Sequence, residues 1–257
     1  MKKTFIKRLA AIILFAMTGA NLFSQGFYVY TKDGQRQDYP SENVDSIVFY
    51  EKTVEDDVSD VVSASGEAID LGLPSGLKWA SCNVGASSPE EYGGYFAWGE
   101  TEEKSDYSWD TYKWRKGSSD SVTKYCTSSN YGTVDNKTIL DPEDDVAHVK
   151  WGGNWRMPTL DEIKEFVYYC SQEWTTYNGV NGLLFTGPNG NSIFIPAAGC
   201  RVGTEVKHRD LYGNIFSASL YSNNNGLMYI LNFSNNYVSW DDCYGRGTGR
   251  SVRPVTD

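Results

Sequence analysis

The chain has 257 residues and a formal net charge of −10; 40% of its residues are hydrophobic and 14% are aromatic. This apolar content excludes a wholly disordered chain, and the length suits one sizeable core with a small appendage. The acidic balance argues against nucleic acid and anionic membranes as partners, because like charges repel. Tyr, Trp and Gly are abundant, which favours strands and tight turns over long helices.

Residues 1–24 have the pattern of a secretory signal peptide. Basic "MKKTFIKR" precedes the apolar run "LAAIILFAMTG", and Ser24 offers a small residue at a cleavage point. The run is about half the length that a bilayer span needs, so we expect no transmembrane segment. The sequence therefore predicts an exported protein, located in the periplasm, at the cell surface or outside the cell.

Residues 25–50 predict a small N-terminal β unit. Phe27 and Val29 alternate before "KDGQ", whose Asp33-Gly34 pair is a strong hairpin signal, and an apolar run follows at 47–50. Residues 51–64 hold five acidic side chains and no glycine or aromatic residue. We interpret them as an acidic linker, with a short acidic helix as the alternative. The main domain is expected over residues 65–257.

Two helices are predicted in the main domain. In "DPEDDVAHVKW" we expect Asp141 as the N-cap and Pro142 at the first helical position. In "PTLDEIKEFVYYC", Thr159 and Glu162 stand at capping-box spacing. We expect carboxylates or carbonyls near this helix start to brace Arg156. The apolar face of the second helix comprises Leu160, Ile163, Phe166, Val167 and Cys170.

Strand patterns dominate the carboxyl-terminal half. "GLLFTGPNGNSIFIPAAG" predicts two strands joined at 188–190, and Asn-Gly pairs beginning at 178, 181 and 189 predict turns. "LMYILNF" and the later "RSVRPV" predict a closing pair of strands. In the latter, we expect Val252 and Val255 to pack in the core and Arg253 to act as a brace.

The cysteines and histidines do not predict a metal site. Five cysteines occur without CxxC spacing, and only two histidines accompany them. Asp144 and His148 are one helical turn apart and could ligate a metal, but no second histidine or HExxH pattern supports this, so a solvated face is favoured. We expect no metal and no cofactor, and the sequence leaves the disulfide pairing open.

Several blocks carry a family resemblance. "AIDLGLPSGLKWASCNVGASSPEEYGGYFAWGE", "TKYCT", "DNKTILDPEDDVAHVKWGGNWRMPT" and "GRSVRPV" resemble the Fibrobacter succinogenes major paralogous domain, a family of secreted proteins of Bacteroidetes. More distantly, "NWRMPTLDEIKEF", "YGNIFSAS" and "SVRPV" are similar to "RLPTEAEWE", "GNVWEW" and "GFR" of formylglycine-generating enzymes. Those enzymes share a C-type-lectin-like fold with the variable proteins of diversity-generating retroelements.

The resemblance implies an α+β, C-type-lectin-like domain. It would have two helices, a small mixed or antiparallel sheet and long loops, and the small β unit would precede it. It also implies that the tract over about 211–250 reads a ligand from a loop surface. Seven of the thirty residues from 211 to 240 are Asn. Because asparagine codons are adenine-rich, retroelement diversification is one hypothesis, and ordinary use of Asn in turns is the alternative.

No motif selects catalytic residues, so we predict a protein that is not an enzyme. Formylglycine chemistry would need matched cysteines near the carboxyl end, where Cys243 stands alone in sequence. A cysteine–histidine pair or a pair of carboxylates could be drawn from this composition, but no spacing brings one together. "SWDD" mimics only one element of a calcium-dependent lectin site, which needs several converging oxygen ligands.

The candidate ligand-binding residues mix aromatic, amide and charged types without periodicity. Tyr and Trp supply contact area with little side-chain entropy to lose, and polar neighbours supply adaptable hydrogen bonds, as in antibody loops. We predict Tyr237, Trp240 and Tyr244 as anchors, with Asp241, Asp242 and Arg250 setting polarity. The other candidates are Asn214, Tyr221, Asn223, Asn232 and Thr248.

The predicted function is therefore a secreted or cell-surface module for ligand binding or adhesion. Its ligand would be a protein or a carbohydrate. A structural or adhesive surface protein without diversification is the main alternative. An enzyme of the formylglycine-generating type is a further one. The sequence does not determine the oligomeric state.

Overall fold

A computed structural model describes residues 27–30, 36–39 and 66–257. The chain divides into two compact units, Met1–Thr53 and Val54–Asp257. In the first unit, strands β1 (Phe27–Tyr30) and β2 (Arg36–Tyr39) pair in antiparallel fashion. The predicted signal peptide, the Asp33-Gly34 turn, the apolar run at 47–50 and the acidic linker lie outside the described residues. Within the described residues, no helix has the length and apolarity to cross a membrane.

The second unit confirms the predicted α+β class, with two α-helices and several small antiparallel sheets among the described residues. Short 3-10 turns cover Trp109–Thr111 and Pro142–Asp144. The early elements are β3 (Ala68–Asp70), β4 (Lys78–Ala80), β5 (Arg115–Lys116), β6 (Ser118–Val122), α1 (Val146–Trp151) and α2 (Leu160–Tyr169). The later strands are β7 (Ser171–Tyr177), β8 (Val180–Thr186), β9 (Ser192–Pro196), β10 (Cys200–Val202), β11 (Glu205–Lys207), β12 (Gly213–Leu220), β13 (Leu227–Ser234), β14 (Tyr237–Gly245) and β15 (Val255–Thr256).

The two Asn-Gly turns at the ends of β8 behave as predicted. Asn178 and Gly179 both have positive φ, 47° and 82°, and join β7 to β8. The segment 187–191 joins β8 to β9, which confirms the predicted hairpin. The third Asn-Gly pair is not a turn, because Gly182 lies inside β8. A Cβ atom at Gly182 would collide with the Ile195 carbonyl and the Phe194 ring, so close strand packing explains this glycine.

Helix α2 begins as predicted. Thr159 and Glu162 form a complete capping box. Arg156 donates from both terminal nitrogens to the Glu162 carboxylate at 2.8 and 2.6 Å, so the predicted brace is confirmed. The apolar face packs inward, and the Phe166 ring lies 4.1 Å from Trp79, centroid to centroid.

Helix α1 begins later than predicted. Asp141 precedes only the 3-10 turn, and the true N-cap is Asp145. The buried Asp145 carboxylate accepts hydrogen bonds from the backbone N–H groups of Ala147, His148 and Met157 at 2.8–3.2 Å. The prediction of Asp141 was wrong because the Asp145 carboxylate accepts hydrogen bonds both from the first turn of the helix and from Met157, twelve residues further on. Local residue spacing does not reveal the contact with Met157.

The predicted closing pair of strands is also wrong. Strand β13 lies between β12 and β14, whereas β15 pairs with β4. Val252 and Val255 are fully buried as predicted. Arg253 is confirmed as a brace, since it donates to Asn83 Oδ1 and to the carbonyls of Ala80 and Phe194, each at 2.9 Å.

Strands β12 and β13 separate two apolar clusters. One face of this pair, represented by Ile215 and Phe233, packs with α2 and with the sheets around β4 and β8. The other face, represented by Phe216 and Ile230, packs with α1 and the segment that contains Trp98. The sheet is therefore fixed on both sides, and β14 extends it at its edge.

Candidate functional site

Strand β14 is the element that presents most of the predicted anchors. We expected a loop surface over about 211–250, but residues 237–245 form a strand that pairs in antiparallel fashion with β13. The mixed polar composition is compatible with a strand here because β14 is the outer member of its sheet, with one side facing solvent. The exposed side chains of β14 therefore project from a strand whose backbone pairs with the buried strand β13.

A β-bulge divides these side chains between two faces. Asn232 pairs with Ser239 and Ile230 pairs with Asp242, so Trp240 and Asp241 together oppose the single residue between them. The extra residue shifts by one position the alternation of side chains between the two faces of the strand. The bulge therefore places Asp242 and Tyr244 on one face, and Trp240 on the face nearer α2.

A chain of amide groups runs through the first face. The guanidinium of Arg250 donates from Nη1 to Asn214 Oδ1. The Asn214 amide donates to Asn232 Oδ1 at 2.7 Å, and the Asn232 amide donates to Asp242 Oδ2 at 2.6 Å. The Tyr237 hydroxyl donates to the Asp242 carboxylate at 3.1 Å. We call this set, from Arg250 to Tyr237, the amide relay.

The amide relay links a buried cation to a more accessible carboxylate. Arg250 is 1% exposed, and burial lowers the pKa of its guanidinium. Each amide accepts on its oxygen and donates from its nitrogen, so both dipoles are oriented by the charges at the two ends. The Tyr244 ring covers the guanidinium at 4.3 Å from its centroid. Tyr244 is thus held over one end of the relay and Tyr237 over the other.

The second face of β14 forms an aromatic group with α2. The ammonium of Lys164 lies 5.1 Å from the centroid of the Trp240 ring and 2.9 Å from the carboxylate of Asp161. Tyr229, opposite Cys243 on β13, packs edge-to-face on Tyr221 with a centroid separation of 5.2 Å. Partial burial, followed by the neighbouring Tyr221, raises the pKa of Tyr229, so its hydroxyl remains a donor at neutral pH.

The structure brings together most of the predicted site residues. Three of them, Asn214, Asn232 and Arg250, are at most 7% exposed, so they reach a ligand only through their neighbours. Asn223 lies apart, with its carbonyl accepting from the Tyr131 hydroxyl at 3.3 Å. Thr248 lies in the turn after β14 and donates to the Gly245 carbonyl. The members on β14 itself are Tyr237, Trp240, Asp241, Asp242 and Tyr244.

Sequence reasoning missed Lys164 and Tyr229 as members of the site. Tyr229 occurs in a regular strand alternation, which predicted a core position, and it is in fact partly exposed. Lys164 lies on the polar side of α2, and no local pattern connects it to Trp240. The missing information in both cases is the packing of β14 against α2, which depends on the tertiary fold.

Cys243 is partly exposed, whereas the other four cysteines are buried. Partial burial and then the charges of Asp242 and Asp241 raise the pKa of the Cys243 thiol, which keeps it protonated and weakly nucleophilic. All five cysteines of the chain are unpaired.

An acidic cluster elsewhere already contains a cation of the chain itself. The carboxylates of Asp141, Glu143 and Asp144 lie close enough together to hold a metal ion. The ammonium of Lys124 lies among them, at 2.7, 3.6 and 2.6 Å respectively. His148, the other residue considered for metal ligation, is not part of this cluster.

The arrangement on β14 is suited to contact and hydrogen bonding. Exposed rings provide area, the Asp241 and Asp242 carboxylates accept hydrogen bonds, and Lys164 adds one cation. Comparisons of the chain with protein-family models, with curated proteins and with solved structures found no match.

Proposed function

We propose that the second unit is the ligand-binding module of an exported or cell-surface protein, with a C-type-lectin-like fold and its ligand surface on β14. The observation that carries the proposal is the exposure of three large aromatic side chains on one edge strand. Tyr237, Trp240 and Tyr244 are 44%, 37% and 43% exposed, although such rings are usually well covered in a folded domain.

Preorganisation supports binding at this surface. Binding costs free energy when side chains must be immobilised, and rings that are already held avoid part of this cost. Tyr244 rests on the Arg250 guanidinium, Tyr237 is hydrogen-bonded to Asp242, and Trp240 lies beside Lys164. The polar residues between the rings give directional hydrogen bonds, which set specificity. The ligand class that fits is a protein or a carbohydrate.

The division between exposed and buried members bears on retroelement diversification. Positions 237, 240, 241 and 244 are exposed, so a change there leaves the hydrogen bonds among Arg250, Asn214 and Asn232 in place. Asn214, Asn232 and Arg250 are buried in the amide relay, so change there would leave polar groups without partners. If the tract is diversified, a near-copy of the coding segment beside a reverse transcriptase gene should differ mainly at codons for the exposed positions. Differences concentrated at codons 214, 232 and 250 would contradict this.

Array binding tests the proposal. The exported chain, applied to arrays of proteins and glycans, should capture at least one ligand reproducibly. The double variant Trp240→Ala with Tyr244→Ala should lose that capture, and its melting temperature, measured beside that of the parent, establishes that the fold is kept. Tyr212→Ala is a matched control, since Tyr212 is 42% exposed and lies outside β14. Capture that survives the double variant would contradict the proposal.

A structural or adhesive role without a specific ligand is the alternative. The same array experiment separates the two, because a purely structural protein would capture no ligand in a way that depends on β14. Formylglycine-type catalysis remains the least supported alternative, since it relies on reactive cysteines and the Cys243 thiol is held protonated.

A further inference from the structure

Two open clefts are lined by the two members of a tryptophan pair at the end of α1, one indole in each, and neither lining includes a β14 residue. The first, of about 400 Å³, is lined by His148, Asn154, Trp155 and Arg156 among others, and we call it the Trp155 cleft. The second, of about 390 Å³, is lined by Trp151 with Phe96, Glu102, Glu103 and Lys150, and we call it the Trp151 cleft. The two indole rings meet edge-to-face with a centroid separation of 5.0 Å.

The local sequence "WGGNW" produces this pair. Helix α1 ends at Trp151, and Gly152 and Gly153 follow with φ values of 70° and 57°. Glycine adopts this left-handed region without the cost that a side chain would add. The chain therefore reverses within three residues and returns Trp155 to the side of Trp151. The two tryptophans thus flank this turn.

The charged groups around both clefts already have partners. In the Trp155 cleft, Arg156 is held by both oxygens of Glu162. In the Trp151 cleft, Lys150 donates to both oxygens of Glu102 at 2.6 Å, and Glu103 accepts from the backbone N–H of Tyr95 at 2.8 Å. A strongly charged ligand would therefore compete with existing ion pairs. A neutral ligand would meet no such competition.

Two hydrogen-bonding side chains remain available in the Trp155 cleft. Within the described residues, the His148 imidazole and the Asn154 side-chain amide make no hydrogen bond, and both line this cleft beside Trp155. An amide and an imidazole each offer a donor and an acceptor. The cleft thus combines an aromatic surface with two side chains that can pair with hydroxyls.

We propose that the two clefts are subsites for a neutral oligosaccharide. A sugar ring has an apolar C–H face that packs on an indole and a rim of hydroxyls that pair with amide, imidazole and carboxylate groups. The Trp155 cleft supplies one aromatic surface and the free polar groups, and the Trp151 cleft supplies the second indole. This site is separate from β14, and its test does not depend on the function proposed for that strand.

Isothermal titration of the full chain tests the proposal. The probes are neutral hexasaccharides of glucose, mannose and N-acetylglucosamine, with hexagalacturonate as the charged counterpart. We expect at least one neutral hexasaccharide to bind, its disaccharide to bind more weakly, and hexagalacturonate to bind least. Trp155→Ala should weaken the neutral ligand about 10-fold or more, as expected for an aromatic anchor. Trp155→Phe should retain part of the affinity, because it keeps an aromatic surface.

Tyr168→Ala is the control: Tyr168 is 82% exposed and lines neither cleft, so this variant should leave hexasaccharide binding unchanged. Melting temperatures of all variants establish that the fold is kept. Three results would overturn the proposal: no binding by any neutral hexasaccharide, equal or tighter binding of hexagalacturonate, or wild-type affinity in Trp155→Ala. Loss of binding in Trp240→Ala but not in Trp155→Ala would also overturn it, and would instead assign the sugar to β14.

Discussion

Two adjacent segments of the chain use similar residue types in opposite ways. Strand β14, residues 237–245, exposes three aromatic rings, whereas the following segment, 246–255, buries three arginines. Arg246, Arg250 and Arg253 are at most 1% exposed, although arginine is rarely buried without an acidic partner. The comparison shows that the position of a side chain relative to the sheet, and not its polarity, decides whether it serves the ligand surface or the scaffold.

The buried arginines hold distant segments together through neutral acceptors. Arg246 donates to the Tyr112 hydroxyl at 2.9 Å and to the carbonyls of Lys124, Tyr125 and Asn225 at 3.0–3.2 Å. These acceptors come from three separate parts of the chain. A planar guanidinium with five N–H donors suits this task, because it satisfies several carbonyls that would otherwise be buried without partners.

The largest predicted effect comes from replacing a buried arginine of the segment 246–255. Arg253→Met removes hydrogen bonds to three acceptors in the interior, and we expect a loss of about 3–5 kcal/mol in the free energy of unfolding. Urea denaturation measures this loss. The control Arg115→Met removes an ion pair with the well-exposed Asp110 and should cost less than about 1 kcal/mol. Equal losses in the two variants would show that burial does not separate the two classes of arginine.

A smaller effect is expected within the amide relay. Asn214→Ala leaves Arg250 and Asn232 without their shared partner in the interior, which should cost about 1–3 kcal/mol in urea denaturation. Tyr237→Phe removes one hydrogen bond at the exposed end and should cost less than about 0.5 kcal/mol. If Tyr237→Phe lowered the free energy of unfolding as much as Asn214→Ala does, the exposed end of the amide relay would contribute as much stability as its buried part, and the prediction would be contradicted.

The smallest stability effect concerns the ion pair at the start of α2. Burial acts to raise the pKa of Glu162, but hydrogen bonds from Arg156 and Thr159 hold it below its ordinary value. The unfolded chain therefore binds a proton at higher pH, so the pair's contribution is present above the ordinary glutamate range and is lost as pH falls through the folded pKa.

Glu162→Gln should reduce the acid sensitivity of the unfolding free energy between about pH 6 and about pH 3. We expect a change below about 1 kcal/mol, because both side chains of the pair remain partly exposed. Exposed Asp161→Asn is the matched control from the same helical turn and should leave the pH profile close to that of the parent. An unchanged profile in Glu162→Gln would contradict the assignment.

Local signals in the sequence predicted the elements whose causes are local. The capping box of Thr159 and Glu162, the brace of Arg156 and the turn at Asn178 all involve residues within a few positions of one another. The cap of α1 at Asp145 and the pairing of β15 with β4 depend on contacts made across the fold, and these predictions were wrong. Tertiary contacts supply partners that spacing alone does not reveal.

The candidate site was predictable to a similar extent. Residue type selected the aromatic anchors Tyr237, Trp240 and Tyr244, which the structure places at the surface. Residue type alone did not distinguish them from Arg250, which lies in the interior. The bulge at Trp240, which assigns each side chain to a face, arises from pairing with β13 and has no local sequence signature.

The most direct test of the account is the affinity of a captured array ligand for the Trp240→Ala, Tyr244→Ala double variant, compared with the parent chain at matched melting temperature. We predict a loss of affinity of about 10-fold or more, with Tyr212→Ala close to the parent value. Parent affinity in the double variant, with the fold intact, would contradict the claim that β14 is the ligand surface.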